Sequence, residues 1–462
     1  MKYHIRSFQP KVRIVRPDYK SNASETEIIV FSADGASGSS TDMIAYSFDE
    51  SIENVDGQFS ITLVPTVDKN GLSWVDKIKP MDIVFFEEDK QTRFAGVVSQ
   101  VRYVAQMGDG GASRTIIVTG HGFGYLLSAF KLVMDYHLWT TGPNAQSAST
   151  QLITDLANAG DDAKSILKTI YDNFMKLCTT SDAGASPAGI KALIQNYIDS
   201  DTEISSKLKL FYKMAVGLYQ EGQNDIWSIW KTILPPPLYE LFGRWDYESN
   251  KYQIIARQAP FDAADWSDLP ITEMNDLVLA DYSVGRDDSE VKTFFYAVLY
   301  GGSLDRNQVL TLEKYSKTRK INEDKWPMYG YRPMELSFRY YNRDPDAGQK
   351  SEEDILQKVS ETLYNWYSKN DELLNGQISI ITIYDDKIMQ CPRIGERLSF
   401  LGGEWYIERA EHTWSMGKFP KTLLSVTRGY VYDNGNLSGP ITGLGKKAQQ
   451  AEGVLQTDGG VA

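Results

Sequence analysis

Few residues in this chain are arranged for chemistry. Gly443-Leu444-Gly445-Lys446-Lys447 has the glycine–lysine step of a phosphate loop, whose backbone amides cradle phosphates while a following hydroxyl holds Mg2+. The pattern breaks at both ends, with Pro440 where the first glycine is required and Lys447 where the hydroxyl is. Gly120-His121-Gly122-Phe123-Gly124 follows a strand-like run but lacks the spacing, helix and acidic partner of a dinucleotide site. It reads as the exit turn of a strand. Cys178 and Cys391 have no Cys or His nearby at ligand spacing, which argues against a zinc knuckle or a disulfide framework. His4, His121, His137 and His412 are dispersed and no HExxH occurs. The densest carboxylate run, Glu87-Glu88-Asp89, reads as a solvated turn. A carboxylate pair assembled by the fold stays open, because two such groups flanking a glycosidic bond can hydrolyse it. The sequence therefore assigns no catalytic, cofactor-binding or metal-binding residue, and no cofactor is expected.

The elements that would position such groups alternate between β and α. From Lys11 to about Leu127 the pattern is β: Gln58-Phe59-Ser60-Ile61-Thr62-Leu63 alternates polar and apolar, and Met81-Asp82-Ile83-Val84-Phe85-Phe86 is a buried-type run. Ile166, Leu167, Ile170, Tyr171, Phe174, Met175 and Cys178 then fall on one face of a helix, with Asp161 or Asp162 placed to cap it. Further helices are predicted from Ser186-Pro187, through Leu208 to Leu218, and over Ile226 to Ile233, where Pro235-Pro236-Pro237 stops the last. Glu240 to Trp245 and Tyr252 to Arg257 form a hairpin pattern, and a helix begins near Ser351 and carries Ile355, Val359, Leu363 and Trp366. The rest to Val431 is β again, and from Tyr432 the composition turns to Gly, Ser, Gln and Ala. The resulting organisation is an N-terminal strand arm and first β unit over 1–130, a helical insert over 131–237, a mixed β-rich domain over 238–350, a linking helix and second β unit over 351–431, and a flexible tail over 432–462.

Composition sets outer limits. The 462 residues carry 48 Lys+Arg against 61 Asp+Glu, a net charge of −13, which disfavours a surface built to grip phosphates. Aromatics reach 12%, a level that suits strands and large interfaces. No long apolar run reads as a membrane span or signal peptide, so synthesis in a cytoplasm is expected. The first 20 residues carry Lys2, Arg6, Lys11, Arg13, Arg16 and Lys20 against Asp18 alone. They read as an outward-charged strand, with docking on an acidic neighbour as the alternative.

The two β regions repeat one another. Gly57-Gln58-Phe59-Ser60-Ile61 answers Gly376-Gln377-Ile378-Ser379-Ile380, and Asp82-Ile83-Val84-Phe85 answers Glu396-Arg397-Leu398-Ser399-Phe400. Phe94 to Val98 answers the run from Trp405, and Thr115 to Gly120 answers Thr422 to Gly429. The fold class expected is mixed β with α inserts: two similar small antiparallel β-barrels plus a helical insert and a mixed α+β domain. Three copies of a chain with two like units have true three-fold and approximate six-fold symmetry, which suits an adaptor between rings of six and of three.

The ordered set SFDESIENVDGQFSITLVP, KIKPMDIVFF, FAGVV, WSIWKTILPPPLYELF, RQAPFD, YGYRPMEL, GGEWYIERAEHTW and TLLSVTRG resembles the baseplate hub proteins of contractile phage tails and phage tail-like bacteriocins. The resemblance runs from about Phe31 to Gly429. It implies a homotrimeric ring with a central channel, seated between a hexameric tail tube protein and a central spike protein, with baseplate wedge and tape-measure proteins nearby. It implies a place in the baseplate of a virion or tail-like particle assembled in the host bacterial cytoplasm, and no catalytic activity. DNA would pass only as cargo, and a mildly acidic channel wall is expected to let it slide. Two other readings remain, a tail-associated peptidoglycan hydrolase on the strength of the carboxylates and a carbohydrate-binding β protein on that of the aromatics. Leu437, Ile441, Leu444 and Val454 are apolar points in the tail and are read as a surface that orders on a partner.

Overall fold

The computed structural model describes residues 10–19, 24–32, 38–88, 91–108, 111–129, 131–132, 163–177, 189–199, 203–204, 224–274, 279–299, 318–338, 348–381 and 392–444. The first third holds β1 (Lys11–Asp18), β2 (Ser24–Ser32), β3 (Met43–Ser51), β4 (Gln58–Leu63), β5 (Ile83–Glu88), β6 (Gln91–Gly108) and β7 (Gly111–Gly122). The middle holds the short β8 (Lys131–Leu132), β9 (Glu203–Ile204) and β10 (Asn224–Asp225), then β11 (Tyr239–Asp246), β12 (Lys251–Gln258), β13 (Ile271–Glu273), β14 (Leu279–Gly285), β15 (Phe294–Leu299), β16 (Lys320–Ile321) and β17 (Pro333–Phe338). The last third holds β18 (Leu374–Ile381), β19 (Arg397–Phe400), β20 (Gly403–Ser415), β21 (Lys421–Asp433) and β22 (Asn436–Gly439).

Fourteen strands join one sheet in the order β14-β18-β21-β20-β3-β4-β7-β6-β5-β1-β2, with β13 on β19, β19 on β20 and β22 on β21. The fold is thus mostly antiparallel sheet with a few helices. Two separate barrels are not what the pairing draws: among the described residues no ladder closes either end, and hydrogen bonding runs on from one β region into the other. The physical reason lies in strand length. β20 has 13 residues while β19 has 4, so the outer half of β20 outruns its neighbour and offers its edge to β3.

Alternation decides which face is buried. Phe59, Ile61 and Leu63 of β4 are buried while Gln58, Ser60 and Thr62 are not, as a period of two requires. Phe31, Phe48, Phe59, Phe86, Phe94, Ile61 and Val118 fill the first core. Ile378, Ile380, Leu398, Trp405, Leu424 and Val426 fill the second.

Four longer helices cover the rest. On α1 (Ala163–Leu177) the buried stripe is Ile166, Leu167, Ile170, Tyr171 and Met175, and Cys178 lies outside the described residues. α2 is Ile190–Tyr197; Ser186, Pro187 and the helix predicted through Leu208 to Leu218 are likewise outside. α3 (Ile226–Ile233) begins at Asp225, whose carboxylate accepts from the Ser228 amide at 2.7 Å, an N-cap bond of the usual kind. α4 (Gly348–Tyr367) lays Leu356, Val359 and Leu363 in the same core as Phe295 and Leu336 of the β15–β17 sheet.

Candidate assembly interface

The two β regions contain one strand set twice. In the first, neighbours run β3-β4-β7-β6-β5; in the second, β14-β18-β21-β20-β19. Irregularities match as well as order. A bulge falls at Ile44 in β3 and at Ala280 in β14, and another at Ser99 in β6 and Glu408 in β20. The turn before the third strand is also repeated. Met81 N donates to Val98 O and Val98 N to Asp82 O; in the second set Gly395 N donates to Ile407 O and Ile407 N to Glu396 O. Met81 and Gly395 both take positive φ, 70° and 76°. Bulges re-aim strands and are specific features of a fold, so their repetition identifies a duplicated unit.

These landmarks correct the residue match read from sequence. Ile61 is equivalent to Ile378 and Tyr46 to Tyr282, two positions from the alignment that paired Gly57 with Gly376. Gly120 is equivalent to Val426 and not to Gly429. The slip has a cause. Gly120 lies beneath Phe59 and Gly429 beneath Trp405, where an added Cβ would come within 2.3 Å of each ring, so two unrelated close approaches each select glycine. β14, which the sequence places in the mixed region, is the first strand of the second set.

Within the chain the two sets meet edge to edge. β3 pairs β20 from Ala45↔Ser415 to Ser51↔Arg409. On the core side His412 stacks on Phe48 at 4.6 Å and Trp414 on Tyr46 at 5.6 Å, and Trp414 enters the first core although it belongs to the second set. Thr422 Oγ1 bonds His412 Nδ1 at 2.8 Å, and burial together with Arg93 lowers that imidazole to about 3. On the other side Arg409 reaches Asp49 at 3.0 Å. That second face is polar, with Ser47, Ser60, Thr119 and Gln100 in one row and Ser51, Arg409, Ser425, Gln377 and Ser283 in another. It carries charges of both signs, among them Asp49, Asp281 and Glu411 and Arg102, Arg409 and Lys421.

Behind the junction a buried carboxyl ties in the middle of the chain. Glu50 accepts from Trp245 N at 2.8 Å, and burial raises it to about 7 against the pull of Arg244, Arg393 and Arg93. Nearby, Arg257 donates to Glu240, Gly395 O and Tyr406 at 2.8 to 2.9 Å, and Tyr406 also bonds Glu240. Sequence alone does not mark these groups.

Unpaired edges among the described residues include β14 on the side away from β18 and β6 beyond the point where β5 ends, besides the outer side of β2 at the far end of the sheet. Tyr103 on that part of β6 is 50% exposed, whereas its equivalent His412 is 9% exposed.

The residues singled out in the sequence lie elsewhere. Leu437 sits on β22 opposite Tyr432, Ile441 is 3% exposed in the second core, and Leu444 packs against that core. Val454, His4, His137, Cys391 and Gly445 to Lys447 lie outside the described residues. His121 stacks on Tyr125 at 4.5 Å, and Glu87 and Asp82 pair with Arg13 and Arg16 at 2.9 and 2.7 Å, so cations of the basic arm are met within the chain. A cavity of about 630 Å3 is lined by Glu53, Glu240, Glu408 and Arg428 among others; Glu240 is engaged by Arg257 and Tyr406, and Glu408, raised by burial, accepts from Thr427. Among the described residues no three His, Cys, Asp or Glu gather as a metal site and no helix is long and apolar enough to cross a membrane.

No family model and no curated protein matches the sequence. Solved structures are similar in part. A tail protein from Neisseria meningitidis is 10% identical with a TM-score of 0.49, over 91% of this chain and 97% of that one. A 43 kDa tail protein of prophage MuSo2 from Shewanella oneidensis is 10% identical with a TM-score of 0.48, over 93% and 100%. An Escherichia coli component of the type VI secretion system is 9% identical with a TM-score of 0.34, over 86% and 76%. With TM-scores under 0.5, these likenesses carry no conclusion about what the chain does.

Proposed function

We propose that the chain is the structural hub of a contractile-tail baseplate, three copies of which form a ring of six similar strand sets around a channel. The observation that supports this reading is the duplicated set, β3-β4-β7-β6-β5 and β14-β18-β21-β20-β19, already joined edge to edge within one chain. Each set serves as the wall of one tube-like barrel unit. Repeated around a three-fold axis, the sets offer six like surfaces to a hexameric tube protein, while the chain offers three to a trimeric spike. The helical and mixed inserts face outward, towards wedge and tape-measure proteins. The polar face lines the channel. Its rows are rich in hydroxyls, and Arg409 stands between Asp49 and Glu411, an arrangement suited to letting a polyanion pass.

Light scattering of the purified chain, alone and with its tube and spike proteins, tests the reading. A mass of three chains, alone or on a partner, is expected. A chain that stays monomeric with both partners removes it.

A further inference from the structure

Resting on that ring reading, we propose that neighbouring copies join by pairing β14 of one copy with the outer half of β6 of the next, in the register in which β3 pairs β20 inside the chain. The occupant of each free edge is thus a second copy of this chain, and the template for the seam is the junction the chain already contains.

The duplication supplies the register. β14 is the equivalent of β3 through the bulges at Ala280 and Ile44, and β6 that of β20 through the bulges at Ser99 and Glu408. Transferring Arg409↔Ser51 to Ala45↔Ser415 sets Arg102 opposite Gly285, Tyr103 opposite Val284, Val104 opposite Ser283, and Ala105 opposite Tyr282. Exposed strand edges are templates for further pairing unless blunted. Neither edge carries a proline. The bulge at Ala280 is no obstacle, since its counterpart at Ile44 belongs to a strand that is fully paired.

Side chains fit on both faces. On the core side half-exposed Tyr103 meets Val284, and the small Ala105 meets Tyr282, where within the chain His412 meets Phe48 and Trp414 meets Tyr46. On the polar side the ladder, continued two residues past the end of β14 at Gly285, brings Arg102 diagonal to Asp287, whose carboxylate also accepts from Ser289 N, an opposite-charge pair like Arg409 and Asp49. Because β14 of one copy takes β6 of another, the contact is heterologous and propagates around a ring.

The template also tells which positions to cross-link. Ile52 N donates to Glu408 O and Met416 N to Ile44 O, so alternate pairs between them are hydrogen-bonded, and Ser47–Thr413 is one of the pairs that are not. Side chains approach most closely at such pairs, within disulfide reach. The equivalent pair across the seam is Val104–Ser283.

In the full chain with Cys178→Ala and Cys391→Ala, Val104→Cys and Ser283→Cys are introduced together and oxidised. Expected on a non-reducing gel are covalent dimers and trimers, absent with either cysteine alone or when Ser283→Cys is replaced by Tyr282→Cys on the opposite face. Ser47→Cys with Thr413→Cys is the internal control and links within one chain. A chain that assembles by mass photometry and links the control but not Val104→Cys to Ser283→Cys overturns the seam and leaves the ring. A chain that stays monomeric with tube and spike partners overturns the ring reading, and the seam with it.

Discussion

The imidazole of His412 and the ring of Phe48 stack with centroids 4.6 Å apart, and the two residues come from different copies of the same strand set. Their strands exchange backbone hydrogen bonds over seven residue pairs, Ala45↔Ser415 to Ser51↔Arg409. The contact therefore makes two duplicated units into one sheet.

Trp414 carries much of that union, since it lies on β20 yet is buried among Tyr46, Phe48 and Ile61 of the first core. Trp414→Ala is expected to cost about 3–5 kcal/mol, the usual range for emptying a buried aromatic site. Urea unfolding of the variant beside the native chain measures it. An unchanged midpoint would mean that the two sets do not depend on this contact.

Glu50 and His412 make the stability pH-dependent with opposite signs. The folded carboxyl of Glu50 is raised from an ordinary 4.5 to about 7, so the folded state holds the extra proton between those values. Its contribution is full below about 4.5 and is lost as pH rises through 7. His412 is lowered from 6.5 to about 3, so the unfolded state takes up the proton first, and its contribution is lost as pH falls below 6.5. Glu50→Gln should remove on the order of 3 kcal/mol of the rise in stability from pH 7.5 to 4.5. His412→Phe should remove the opposing fall. Denaturant titrations of both variants across this range separate the two.

Arg257 fastens β12 to the second set through Tyr406 and the Gly395 carbonyl, and pairs with Glu240 on the neighbouring β11. Removing it strands the Glu240 carboxylate in a buried site, so Arg257→Ala is expected to cost about 3–5 kcal/mol. Adding Glu240→Gln should recover part of the loss. A double variant no more stable than the single one would show that the ion pair is not what Arg257 supplies.

Much of this architecture is legible in the residues. Alternation over Gln58 to Leu63 marks the buried face, and the apolar spacing from Ile166 to Met175 marks α1, because both follow from element periodicity. The repeat is visible through QFSI and QISI. Its register is not, because the glycines that seem to align it, Gly120 and Gly429, answer to different rings, Phe59 and Trp405. β14 escapes notice because some ninety residues of insert separate it from β18. The pairing of β3 with β20 leaves no sequence signal at all: edge recognition uses backbone groups that every residue carries. Glu50 is hidden for a related reason, since its partner is the backbone amide of Trp245, nearly two hundred residues away.

On the proposed reading, three chains form a ring of duplicated strand sets. Electron micrographs of the purified chain bound to its tube and spike proteins, averaged down the channel axis, test it most directly. Six similar lobes arranged with three-fold symmetry, three chains to each particle, are predicted. End-on views without a channel, or with a lobe number that is not six, would contradict it.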